Sequence, residues 1–287
     1  MDMNRYFQEL DQRFREDDIR GAEEVSLSYL NQASKEKDTG AVVAIANELG
    51  GLYRVQGRFD RALETYDIAL RGIELLNLTG DKQHGITLLN LASVYNAAGN
   101  PDRALELYSR AGQIFEKPGC ATAYELAALY NNISHIYEKK QDLSRALIYA
   151  ERSLELVEDM EDAQVEKATS LTAIGSILTK MGRFEDALSN LLAAERIFEK
   201  LGGGNPHYAA TLNNLGNLHI KLGDLYRAAD YFLKSLELVD RTYGKSDAYG
   251  AVCSNLAEIY HMLGDEDKSV DYRKTAKEIE DRIRWQN

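Results

Sequence analysis

Six copies of one pattern recur along this chain at intervals of 41 or 42 residues, and no other feature narrows the possible folds as far. An index alanine stands at Ala62, Ala104, Ala146, Ala187 and Ala228, and Ser269 takes its place in the last copy. Five residues before the index come Gly57, Gly99, Gln141, Gly182, Gly223 and Gly264. Nine before it come Tyr53, Tyr95, Tyr137, Leu178, His219 and Tyr260. Twelve before it stand only small residues: Gly50, Ala92, Ser134, Gly175, Gly216 and Ala257. Self-similarity at such a period marks a solenoid, in which each repeat contacts only its neighbours. The length of 287 residues alone would suggest about two domains; the repeat replaces that expectation with one continuous stack.

Each unit reads as two helices joined by a turn. In residues 86–117, Leu88, Leu91, Val94 and Tyr95 share one face at helical spacing. Gly99 and Asn100 interrupt the run, and Pro101 suits the first turn of the next helix, which buries Ala104, Leu105, Tyr108 and Ala111. No period-two alternation supports strands. The small residues let the first helix (A) and the second (B) of a unit approach closely. The glycine five before the index can take positive φ and end helix A; Gln141 departs from this and predicts a turn of different geometry. Residues 2–35 read as a further, degenerate pair, with Met3, Phe7, Leu10 and Phe14 in one apolar stripe.

The segments NLASVYNAAGNPDRA (90–104) and NLGNLHIKLGDLYRA (214–228) resemble the tetratricopeptide repeat. The long period resembles the subclass found in kinesin light chains and in the Pins/LGN polarity adaptors. GGGNPHYAATLNNLGNL (202–218) is similar to the inter-repeat segment of the light chains. The resemblance covers about residues 41–284. It implies an all-α, right-handed superhelical solenoid of antiparallel helix pairs, with A helices lining a concave groove and B helices outside. It also implies a binding protein rather than an enzyme. The expected organisation is an N-terminal capping pair (1–40), five repeats (41–248) and a sixth, capping repeat (249–287), in which Ser269 and Arg273 provide a polar end.

The charge of 34 minus 46, or −12, repels phosphate backbones and argues against nucleic acid as a partner. That charge is unevenly placed. The six thirteen-residue A segments (44–56, 86–98, 128–140, 169–181, 210–222, 251–263) hold 8 charges in 78 residues, five basic and three acidic. They sum to +2 and leave −14 for everything else, so the acidity belongs to outer helices, loops and ends. Amides take the place of charge. Asn90, Asn132, Asn214 and Asn255 stand fourteen before the index, Asn47, Asn131 and Asn213 one residue earlier, and His135 and Asn217 eleven before it. An asparagine offers two donors and an acceptor, so a ladder of them can hold a peptide backbone without reading its side chains. Lys139, Lys180 and Lys221, all seven before the index, form a second ladder suited to acidic ligand groups.

Members of the family that clamp the C-terminal carboxylate of heat-shock chaperones use Lys or Arg fifteen and eleven before the index. Neither place holds a base here, which argues against that ligand. No catalytic, metal or cofactor set is recognisable: the five histidines have no metal-ligand spacing, and Gly202-Gly203-Gly204 lacks the Lys-Ser/Thr of a phosphate loop. Cys120 and Cys253 read as packed thiols of a reducing compartment. The opening MDMNRYFQELDQ is charged where a signal peptide is apolar, and no stretch is long and apolar enough to span a membrane. The expectation is a cytoplasmic adaptor that takes a peptide or protein segment in its groove. Two alternatives are a receptor resembling the bacterial peptide-pheromone sensors and a structural homo-oligomer.

Overall fold

A computed structural model describes residues 1–16 and 18–284; the end of the expected capping repeat, 285–287, lies outside the described residues. Among the described residues there are fourteen α-helices and no strand. They are α1 (Met3–Arg15), α2 (Ile19–Glu36), α3 (Thr39–Val55), α4 (Phe59–Leu75), α5 (Lys82–Ala97), α6 (Pro101–Phe115) and α7 (Ala123–Lys139). There follow α8 (Leu143–Val157), α9 (Gln164–Lys180), α10 (Phe184–Lys200), α11 (Pro206–Lys221), α12 (Leu225–Tyr243), α13 (Asp247–Met262) and α14 (Glu266–Arg284). The A helices are thus α3, α5, α7, α9, α11 and α13. Two compact units are formed, residues 1–136 and 137–287. In the first, consecutive helices from α1 to α6 pack on one another and α3 also touches α5. In the second, consecutive helices from α8 to α14 do the same, and α9 touches α11.

The A–B crossing of a repeat is set by two positions, twelve before and four after the index. A Cβ on Gly50 would meet the Tyr66 ring at 2.7 Å, one on Gly175 would meet Leu191 at 2.5 Å, and one on Gly216 would meet Phe232 at 2.8 Å. The glycine is therefore the socket for a large side chain of its own B helix. Phe232 is fully buried there, which stabilises the pair by about 1.5–3 kcal/mol. A second link lies nine before and three after the index, where aromatic rings stack: Tyr137 on Tyr149 at 5.7 Å, His219 on Tyr231 at 5.4 Å and Tyr260 on Tyr272 at 5.6 Å.

The turn after helix A corrects one expectation. Gln141 takes φ +61°, the left-handed conformation that Gly57, Gly99, Gly182, Gly223 and Gly264 take elsewhere. Its flanking bonds, Gln141 N–H to the Glu138 carbonyl and Asp142 N–H to the Tyr137 carbonyl, match those of the Gly223 turn. The turn is therefore the same, and the side chain of Gln141 makes it a strained one. The next residue caps helix B where it is acidic or Asn: Asn100, Asp142 and Asp224 accept from the backbone N–H three residues on.

The N-terminal pair also differs from the expected stripe. Tyr6 and Leu10 are buried, whereas Phe7 and Phe14 are 39% and 45% exposed. Tyr6 takes the interior because its hydroxyl finds Ser26 of α2 at 3.2 Å and its ring lies 5.3 Å from Tyr29.

Candidate functional site

Positions eighteen, fourteen, eleven and seven before the index are spaced four, three and four residues apart, which puts them on one face of helix A. That face is the open one. On α11, Ala210, Asn217 and Lys221 are exposed and Asn214 is half-buried. On α9, Thr169, Ala173 and Ser176 are half-buried and Lys180 is exposed; on α13, Ala251, Glu258 and Met262 are exposed and Asn255 is half-buried. In the first unit, α5 presents Asn90 and Ser93, half-buried, and α7 presents Ala128 and His135, exposed, beside half-buried Asn131 and Asn132. Lys139, the last residue of α7, is exposed and belongs to the second unit. The residues between these, such as Leu218 and Ile259, are buried and anchor the helix.

The position fifteen before the index behaves differently, because it faces the next A helix. Thr87 of α5 donates its hydroxyl to the Asn47 Oδ1 of α3 at 3.1 Å, while Asn47 Nδ2 donates to the Val43 carbonyl. Thr172 of α9 and Thr211 of α11 share a hydrogen bond of 2.8 Å. Asn255 of α13 donates Nδ2 to the Asn213 Oδ1 of α11 at 3.1 Å. Asn213 and Asn255 are thus engaged with each other, a rung between repeats that leaves part of their bonding capacity. Lys180 is likewise engaged: its Nζ lies 3.1 Å from Glu138 Oε1, which also accepts from the Ser176 hydroxyl at 2.6 Å. Glu138 is 8% exposed, so the carboxylate end of this pair is held inside the stack while Lys180 remains exposed. Of the three ladder lysines, Lys180 is the one already neutralised.

Two features of the second unit were not legible as site residues. Glu195 of α10 sits on the outer helix of its repeat, where the sequence predicts a solvated charge, yet it is 8% exposed. Burial, and then Glu199 one turn on, raise its carboxyl above the usual range. His219 of α11 is 4% exposed; burial holds its imidazole below the ordinary value, and its Nδ1 has no hydrogen-bond partner among the described residues. The signal that could have found His219 is its place in the row of tyrosines. The two cysteines are free, and burial pushes the Cys253 thiol up to about 11, which suits a packing role. Among the described residues no group of three or more His, Cys, Asp and Glu side chains is placed to hold a metal ion, and no helix is long and apolar enough to cross a membrane.

A stack of helix pairs whose A helices each turn one sparsely charged face outward defines a repeat-built solenoid. The family model for the tetratricopeptide repeat matches residues 42–117, 125–200, 166–239 and 207–279, and the chain belongs to that family. Protein KINESIN LIGHT CHAIN-RELATED 1 of Arabidopsis thaliana is 28% identical over 147 residues, which is 51% of this chain and 24% of that protein. The chain therefore spans about a quarter of the length of that relative. Among solved structures, BtubC (BKLC) from P. vanneervenii superposes with a TM-score of 0.63 at 19% identity, over 79% of this chain and 92% of that one. The apo form of the quorum sensor NprR from B. thuringiensis superposes with a TM-score of 0.62 at 18% identity, over 96% and 87% of the two chains. Both structural likenesses establish the fold.

Proposed function

We propose that the protein is a non-enzymatic adaptor whose A-helix faces hold a peptide or protein segment. In the second unit the contacts are Asn214, Asn217 and Lys221 of α11, flanked by Lys139 and by the remaining capacity of Asn213, Asn255 and Lys180. In the first unit they are Asn90, Asn131, Asn132 and His135. The observation that carries this reading is the open stripe of α11, where Asn214, Asn217 and Lys221 follow exposed Ala210 at four-, three- and four-residue spacing beside buried Leu215 and Leu218. Such a stripe bonds a peptide backbone and asks little of its sequence. The reading assigns no cofactor, nucleic acid or membrane partner, and it places the protein in the cytoplasm.

The test is a set of peptides selected from a random display library against the protein, then titrated against Asn214→Ala/Asn217→Ala. Each lost bond costs about 0.5–1.5 kcal/mol, so affinity should fall on the order of ten- to a hundredfold while melting is unchanged. Tyr226→Ala on α12, 76% exposed, serves as the outer-helix control; Glu195 cannot, because it is buried. Equal binding by the double variant and wild type would remove the A-helix face from consideration. A second reading, a receptor in which the peptide changes the shape of the solenoid, draws on the likeness to NprR. Small-angle scattering with and without a selected peptide separates the two: an adaptor keeps its radius of gyration, and a receptor of this kind changes it.

A further inference from the structure

In the second unit α13 packs on α12, and Phe232, Leu236 and Val239 of α12 are buried there. The last pair, α13 and α14, forms a groove of the same kind, and a cavity of about 670 Å³ stands open along it. Its floor is small and apolar, made by Gly250 and Ala251 of α13 and Ala276 and Ile279 of α14. A Cβ on Gly250 would meet Ile279 at 3.2 Å, so the two helices lie close together beneath it. Its rim is charged. Four, eight and eleven after the index, Arg273, Lys277 and Glu280 stand where α12 has Phe232, Leu236 and Val239, and Asp281 follows.

A polar rim turns away an apolar helix, but this one is also sorted by sign. Arg273 and Lys277 occupy one end of the groove. Glu280 and Asp281 occupy the other, joined there by Asp247 from the start of the antiparallel α13. The remaining charges nearby are already used: Lys274 pairs with Glu278 at 4.0 Å, Lys245 pairs with Asp240 at 3.1 Å, and Arg282 donates to the Lys245 carbonyl. Arg273 reaches the Ser269 hydroxyl at 3.4 Å, and neither it nor Lys277 is in an ion pair among the described residues. Two bases one helical turn apart repel each other, and opposite charge from outside relieves that repulsion.

We propose that this groove is a homodimer contact, covered by the same groove of a second copy of this chain turned end for end. A two-fold contact places residue i on residue j and j on i. The base end of each copy then meets the acid end of the other, Arg273 and Lys277 against the partner's Glu280 and Asp281, over the two apolar floors. The 19 residues of α14 make a face about 28 Å long and about 10 Å wide. A contact of that size stands at the low end of specific interfaces, so the dimer is weak and forms with rising concentration. Opposite charge at the rim makes it sensitive to salt.

The test uses the whole chain. Sedimentation and light scattering from micromolar to millimolar concentration should show a monomer–dimer equilibrium that salt shifts toward monomer. Arg273→Glu/Lys277→Glu and Glu280→Lys/Asp281→Lys should each weaken the dimer about tenfold or more, a change that affinity arithmetic makes easy to resolve. Mixed in equal amounts, the two variants should form a one-to-one heterodimer at least as tight as the wild-type dimer, because each then carries the charge the other lacks. All four side chains are exposed, so both variants should keep the wild-type melting temperature. Should one of them disturb the fold, the other variant and the salt dependence of the wild type still decide. A chain that stays monomeric at every concentration, assembly that grows past two copies, as a head-to-tail contact would, or a dimer that neither variant weakens overturns the proposal. None of these outcomes depends on Asn214 or Asn217, so this inference and the A-helix reading fail separately.

Discussion

Within the second unit, the A helices α9, α11 and α13 and the B helices α10 and α12 treat polar residues in opposite ways. The A helices pair neutral groups with one another, Thr172 with Thr211 and Asn213 with Asn255, and leave Asn217 and Lys221 open. The B helices keep charge outside in short pairs one turn apart, Arg183 with Asp186 and Arg227 with Asp224, each contributing about 0–1 kcal/mol. Glu195 is the exception, a B-helix carboxyl turned inward that forms no ion pair among the described residues, with Lys234 and Arg196 acting on it only at longer range. The difference teaches where polarity is affordable. An amide or hydroxyl is its own complement, donor to acceptor, and can be repeated down a stack; a carboxylate needs a partner of a different kind.

The largest effect should come from the crossing that holds the two kinds of helix together. Gly216→Leu forces a side chain into the Phe232 ring, where even a Cβ would stand at 2.8 Å. The expected cost is about 1–3 kcal/mol or more from overpacking, read as a lower melting temperature. Unchanged melting would mean that the helices of this repeat do not meet as described.

A smaller effect separates the two roles of asparagine on α11. Asn213→Ala removes the acceptor of Asn255 Nδ2 and should cost about 0.5–1.5 kcal/mol of stability. Asn217→Ala, four residues further on and exposed, should leave melting within about 0.5 kcal/mol, as surface substitutions usually do. Equal costs for both would erase the distinction between rung and open stripe.

The repeat was legible because it is a geometric rule: each residue five, nine or twelve before the index has one job, and six copies averaged out the exceptions. The open stripe was legible for the same reason, since helical period alone puts Asn214, Asn217 and Lys221 together. The division of labour among the asparagines was not. Asn213 and Asn214 are adjacent, and which one meets the next helix depends on how A helices stack, which no single helix encodes. Glu195 was illegible because a glutamate among charged neighbours, AAERIFEK, reads as solvent-facing, whereas the fold buries it with the Tyr231 hydroxyl of α12 as its hydrogen-bonding neighbour. Lys180 looked like its fellows Lys139 and Lys221, and only the buried Glu138 from the preceding repeat sets it apart.

Gln141 offers a gain rather than a loss. A left-handed non-glycine residue costs about 1–2 kcal/mol, and glycine gives back about 0.5–1 kcal/mol through its freer unfolded chain. Gln141→Gly should therefore stabilise the protein by about 0.5–1 kcal/mol, measured by denaturant midpoint; a destabilised variant would show that the side chain of Gln141 contributes more than its backbone costs.

The smallest signals are two slopes of stability against pH, and they have opposite signs. His219 has its folded value held below the ordinary ~6.5 by burial, with Asp224 opposing and Arg227 assisting. The unfolded chain therefore takes up this proton first as pH falls. The stability that neutral His219 supports is present above the ordinary value and is lost as pH drops through it. Glu195, raised by burial and by Glu199, runs the other way: the fold holds its proton more tightly, so stability present below the ordinary carboxyl range is lost as pH rises through the elevated folded value. His219→Tyr restores the residue that Tyr137 and Tyr260 supply elsewhere and should flatten the first slope alone; Glu195→Gln should flatten the second alone and leave the variant more stable than wild type at neutral pH. Denaturation across pH 4 to 8 checks both, and a wild-type curve that neither variant alters would place both side chains in solvent, against the burial on which the contrast between the A and B helices rests.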